Sequence, residues 1–180
     1  MTAPLFQPPG RGFLGDCRAV AATEFAIILP VMLVLYIGGI EVTQLVGADR
    51  KTSQAVRTAA DLTAQSSGCK KGVSSVPSDI ANAFTAADIV AAPYPVAPLK
   101  VTLTCVEIAT TGTAKVLWSY SLRGAARATG SFSPPGGLTD GNATSYWVLG
   151  EATYTYTPNF GDVLTGNITL SDQVYMRNRQ

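Results

Sequence analysis

The groups able to do chemistry in this chain are few. Asp140, Glu151, Asp162 and Asp172 are scattered through its C-terminal half. Two carboxylates divide acid and base roles only when the fold sets them a fixed distance apart. Nothing in their spacing does so, and solvated turn positions account for them more simply. Histidine is absent, which removes the commonest general base, catalytic metal ligand and pH switch. No nucleophile elbow, phosphate-binding loop, dinucleotide fingerprint, paired-cysteine zinc motif or EF-hand loop is present. Tyr154 and Tyr156, if exposed, could stack on a sugar or a surface, although aromatics at alternating strand positions usually pack. The chain reads as a non-enzyme with no cofactor and no metal. Asn142-Ala143-Thr144 and Asn167-Ile168-Thr169 match glycosylation acceptors, triplets too common by chance to inform.

One carboxylate stands apart. Glu24 lies at the edge of the run Ala19 to Gly47, within which Phe25 to Ile40 carry no charge. A charge at the centre of a membrane-spanning helix costs about 2.5–3.5 kcal/mol on insertion scales, and less near the end. A carboxylate there has a partner, a function, or a route for snorkelling to the interface. Glu41 stands similarly at the other end. The run is long enough to cross roughly 30 Å of hydrocarbon as a helix. So small a protein cannot surround it as a core helix, and a cleaved secretory signal is shorter and followed by a small-residue cut site. Leu14-Gly15-Asp16-Cys17 has the look of a lipobox but precedes the apolar run. Pro30 predicts a kink or local unwinding. Gly38 and Gly39 permit close helix approach.

Cys17 precedes the run, whereas Cys69 and Cys105 follow it. If the latter half is exported, Cys69 and Cys105 can pair and Cys17 stays reduced inside. Closing that loop contributes on the order of 4 kcal/mol. The alternative is two buried free thiols. Cations flank both ends, with Arg11 and Arg18 before and Arg50, Lys51 and Arg57 after, so their count does not place the N-terminus inside; a long exported domain overrides such a bias. Lys and Arg number 13 against 12 Asp and Glu, and nothing in this near-neutral balance suggests the basic face of a nucleic-acid binder.

The elements that would carry these groups follow from periodicity. Residues 49–66 continue the helix with a narrow apolar face at Val56, Ala59, Ala60 and Leu62, and Ser67 and Gly68 offer a stop. Ser78 can cap a second helix through about Val90, with Ile80, Ala83, Phe84 and Ala87 at helical spacing. Pro93, Pro95 and Pro98 end it in an extended connection. Strands are predicted where Leu99, Val101, Leu103 and Cys105 alternate with polar residues, where Val116, Trp118, Tyr120 and Leu122 do the same, and over Trp147–Tyr156 and Ile168–Met176. Residues 123–145, rich in Gly, Ala, Ser and Pro, read equally as a contact-bearing excursion and as a disordered loop. The fold class is α+β: a long N-terminal transmembrane helix continuing into an amphipathic helix, then a small antiparallel β-sheet domain packed on helix.

The run Arg18-Ala-Val-Ala-Ala-Thr-Glu24-Phe25-Ala26, followed by Ile27-Ile-Leu-Pro30, resembles the N-terminus of TadE/TadG-like proteins of the tight-adherence (Tad) pilus system. Ala59-Ala-Asp-Leu62, Ala152 to Phe160, Ile168 to Ser171 and Tyr175-Met176-Arg177 extend the resemblance. The resemblance implies a minor pilin or pseudopilin that helps assemble, initiate or cap a Tad pilus, serving adhesion and biofilm formation. It also implies peptidase cleavage between Ala19 and Val20, with Ala19 standing where glycine is usual. Glu24, Phe25 and Pro30 become assembly residues, Glu24 neutralising the freed amine of a neighbouring subunit. The implied partners are the major pilin, other minor pilins, the prepilin peptidase, the Tad inner-membrane platform and the lipid bilayer. The expected organisation is a cytoplasmic leader at 1–19, a transmembrane helix at 20–47 and a periplasmic or extracellular domain at 48–180. This places the chain as a single-pass protein of the bacterial inner membrane, with entry into an extracellular filament left open. The alternative is an anchored periplasmic scaffold or adhesin-like binding module outside any filament.

Overall fold

The computed structural model describes residues 17–66, 69, 78–138, 143–159 and 166–179, and of residues 17–19 only the backbone. The leader before Cys17, the stop at Ser67–Gly68, Asp140, Asn142 and Asp162 lie outside the described residues. In chain order the elements are α1 (Cys17–Gln65), α2 (Ser78–Ala91), β1 (Leu99–Ile108), β2 (Ala114–Leu122), β3 (Gly130–Phe132), β4 (Ser145–Tyr156) and β5 (Ile168–Arg177). The α+β architecture is as the sequence predicts. Two compact units divide between Ile40 and Glu41.

In the first unit α1 runs unbroken through Pro30. The missing amide removes one helical hydrogen bond without the local unwinding that proline predicts, because both flanks are strongly apolar and keep the helix. The side chains are exposed along this stretch, Phe25 at 62%, Ile27 at 75% and Tyr36 at 69%. The helix is long and apolar enough to cross a membrane.

The second unit is a five-stranded antiparallel sheet in the order β3-β2-β1-β4-β5, with the latter part of α1 and α2 packed into one core with its inner face. Inner-face residues alternate along β1 as Leu99, Val101, Leu103 and Cys105, all buried. The buried face of α1 is built from small residues, Ala48, Thr52, Ala55, Val56, Ala59, Ala60, Thr63 and Ala64. Thr52 and Thr63 donate their hydroxyls to the carbonyls of Ala48 and Ala59 at 2.9 and 2.8 Å, so no hydroxyl proton is buried unpaired there. Small side chains let helix and sheet approach closely. At Gly150 a Cβ would stand 3.0 Å from both Ala60 Cβ and Val56 Cγ2. Leu62 departs from the expected apolar face: it is 41% exposed, because the sheet covers the face defined by Val56, Ala59 and Ala60.

The predicted alternation of β2 breaks in one place. Cys105 pairs with Trp118 but Val106 pairs with Val116, so Leu117 is an extra residue. This β-bulge reverses the faces. Trp118 joins the inner core, whereas Val116 joins a second, smaller core on the outer face with Val106, Ile108, Ala114 and Leu149. Within the 123–145 segment, β3 pairs with the start of β2, and Phe132 and Leu138 pack onto that outer core. Arg127 fixes the excursion, donating to Glu151 Oε1 at 2.6 Å while its guanidinium lies 5.5 Å from the Phe132 ring centroid.

Candidate functional site

The sequence-predicted site residues divide between the two units. Ala19 and Val20 are both helical, since α1 begins at Cys17. Thr23 turns its hydroxyl back to the Val20 carbonyl at 2.8 Å, a local bond compatible with helix. Glu24 and Phe25 are exposed on α1, and Pro30 follows one to two turns later on the same helix. The first unit thus presents a carboxylate at the start of an uncovered apolar helix. In water this surface would be strongly unfavourable, at roughly 25 cal/mol per Å² of apolar area. In lipid, or against other apolar helices, the same surface is satisfied and the carboxylate becomes the costly group.

Cys69 and Cys105 form a disulfide, with Cα atoms 5.5 Å apart and both residues fully buried. The bridge joins the segment leaving α1 to the middle of β1. Of the two sequence alternatives, the paired one is found.

A polar cluster at the start of the second unit escaped the sequence reading. Tyr156 donates its hydroxyl to Glu41 Oε2 at 3.1 Å and lies 3.4 Å from Gln44 Oε1. Asn159 Nδ2 donates to the same Gln44 oxygen at 3.2 Å. Tyr94 donates to the Gln44 backbone carbonyl at 3.1 Å, and a Cβ at Gly47 would collide with its hydroxyl. Burial, reinforced by the Glu41 hydrogen bond, pushes the Tyr156 hydroxyl up to about 12. Glu41 is therefore not a snorkelling carboxylate alone: it accepts a hydrogen bond from the sheet. Two features could have flagged this contact, Gly47 closing the apolar run and Tyr94 as the lone polar side chain in a stretch of Ala, Pro and Val.

Tyr154 and Tyr156 are buried, 4% and 6% exposed. Of the two readings of these aromatics, packing is the one found: both belong to the inner core, which leaves no exposed ring for a surface or a sugar. The described carboxylates are spread out. Glu151 is held by Arg127 on the outer face, and Asp172 lies on β5 with Oδ2 4.0 Å from Arg57 Nε. Asn167 Oδ1 accepts from the Thr157 hydroxyl at 2.9 Å. Among the described residues no group of three or more His, Cys, Asp or Glu side chains is placed to hold a metal ion.

Residues 19–61 match the TadE-like protein family. The match begins at the predicted cut site, runs through Glu24 and the apolar helix, and ends on the part of α1 buried by the sheet. No curated protein and no solved structure matches the chain significantly. The match supports, in general, a chain associated with the Tad pilus.

Proposed function

From a chain that carries a TadE-like segment at its N-terminal helix, we propose that it is a membrane-anchored minor pilin or pseudopilin that helps assemble, initiate or cap a Tad pilus. The observation that carries this reading is the coincidence of that segment with an uncovered apolar helix bearing one carboxylate near its start. The role is structural and not catalytic. α1 anchors the chain in the inner membrane and the sheet domain lies on the periplasmic side, where oxidation closes Cys69–Cys105. Cleavage between Ala19 and Val20 frees an α-amine five residues from Glu24, counting both ends. Within one helix that amine is fixed; between subunits it can reach the Glu24 of a neighbour. Pairing the two in low dielectric offsets part of the cost of holding either charge alone. The partners are the major pilin, other minor pilins, the prepilin peptidase and the assembly platform.

Mass spectrometry of membranes from a strain with the peptidase is expected to find a mature N-terminus at Val20. An intact leader would overturn the maturation step. Glu24→Gln should keep membrane insertion and lower the yield of sheared pili, and unchanged pilus yield would remove the charge-pairing role. Recovery of the chain in membranes alone, never in sheared filaments, would leave the anchored scaffold as the better reading.

A further inference from the structure

The stretch from Ile89 to Leu99, IVAAPYPVAPL, contains no polar side chain except the Tyr94 hydroxyl. Water-facing connections are ordinarily built from Gly, Asn, Asp and Ser, whose side chains bond to water and to the turn itself. Here Ile89, Ala92, Pro93, Pro95, Val96 and Ala97 are all exposed, Ile89 at 70% and Val96 at 37%. The connector is nevertheless held in place. Arg123 donates Nε to the Leu99 carbonyl at 2.8 Å and makes a two-pronged ion pair with Asp88, gripping both ends. Between those ends Tyr94 is fixed on the Gln44 carbonyl. A fixed, uncharged apolar loop presented to solvent marks a contact surface.

The place of that loop along the chain says what the contact is. Gln44 and Gly47, the residues Tyr94 touches, follow the last residue of the uncharged run, Ile40, by four and seven positions. In a helix this is a rise of about 6 and 10 Å. The headgroup layer on one side of a bilayer is about 5–8 Å deep, and tyrosine is among the side chains enriched at that depth.

We propose that the end of α2 and the α2–β1 connector, together Ile89 to Leu99, form a lipid-contacting segment that rests in the boundary between headgroups and acyl chains of the membrane crossed by α1. Val96 and Ile89 supply the apolar contact and Tyr94 the interfacial aromatic. The loop itself carries no cation, so the contact does not depend on anionic lipid. The inference rests on the reading of α1 as a membrane anchor, and the experiment separates the two.

The full chain, carrying Cys17→Ser with the Cys69–Cys105 bridge intact, is given one labelling cysteine at a time: Ile28→Cys, Ile89→Cys, Val96→Cys or Thr111→Cys. Each variant is labelled with an environment-sensitive fluorophore and reconstituted into phosphatidylcholine nanodiscs containing lipids with a nitroxide on either the headgroup or the acyl chain. The expected result is loss of emission at Ile89→Cys and Val96→Cys with headgroup nitroxide. Ile28→Cys should lose emission with acyl-chain nitroxide, and Thr111→Cys, at the far turn of β1, with neither. Quenching at Ile28→Cys without quenching at both connector sites overturns the loop and leaves the anchor standing. No quenching at Ile28→Cys overturns the anchor reading and this inference with it. Equal quenching at Thr111→Cys also overturns the loop, since the whole domain would then contact lipid. The two connector sites are solvent-exposed, so their substitution leaves the core intact.

Discussion

The two units of this chain solve opposite problems with the same helix. From Phe25 to Ile40, α1 carries no charge and its side chains are largely exposed. After Glu41, the helix is lined on one face with alanine and threonine and buried against a sheet. The first unit takes its stability from surroundings that the chain does not supply, so its sequence records an environment. The second unit closes on itself, so its sequence records packing. That is why the apolar half of α1 prefers large aliphatic side chains, while the buried half uses small ones that pack so closely on the sheet that a Cβ at Gly150 would stand 3.0 Å from Ala60 Cβ.

This contrast can be broken experimentally, using guanidinium unfolding of the full chain in detergent followed by tryptophan emission. The largest effect is expected from Cys69→Ser with Cys105→Ser. Opening that loop should remove about 4 kcal/mol from the sheet unit and leave the helical circular dichroism of the detergent-bound anchor in place after the sheet has unfolded. Joint loss of both signals would mean that the units are not independent. Next is Gly150→Ala, where the added methyl meets Ala60, Val56 and Val174. An overpacked contact of this kind should cost roughly 1–3 kcal/mol, and an unchanged unfolding midpoint would show that α1 can move off the sheet at little cost.

The smallest effect is expected from Tyr156→Phe. Losing the hydrogen bond to Glu41 should cost about 1 kcal/mol. Its signature lies in the pH dependence. The Tyr156 hydroxyl is raised from 10.0 to about 12 in the folded chain, so folding favours its protonated form. That contribution is complete below pH 10, where both states hold the proton, and is lost as pH rises through about 12. The variant should therefore lose stability less steeply across this alkaline window. An identical alkaline limb in both proteins would sink the assignment.

Much of the fold was legible in the residues. The uncharged run fixed the anchor, the spacing of Ile80, Ala83, Phe84 and Ala87 fixed α2, and the alternation of Leu99 to Cys105 fixed the central strand. What was not legible depended on contacts far apart in sequence. The bulge at Leu117 leaves the alternation Val116-Trp118-Tyr120 intact on paper while turning Val116 to the opposite face. Leu62 fits a helical apolar stripe but is 41% exposed, off the face of α1 that the sheet covers. The cluster at Glu41, Gln44, Tyr94 and Tyr156 joins Tyr156 to positions more than a hundred residues away; Gly47 and Tyr94 hint at a contact there, but no local pattern names Tyr156 as the partner. The Glu24 segment was readable because its chemistry is local: one carboxylate in one apolar run.

The disulfide also has a mechanical meaning. Tension applied along α1 has a covalent route through Cys69 to Cys105, and Cys105 lies on the central strand, laddered to β2 on one side and β4 on the other. A pull entering there meets two ladders and not an edge strand, so the hydrogen bonds of both sides share it. The segment enclosed by the bridge, including α2 and the apolar connector, is bypassed.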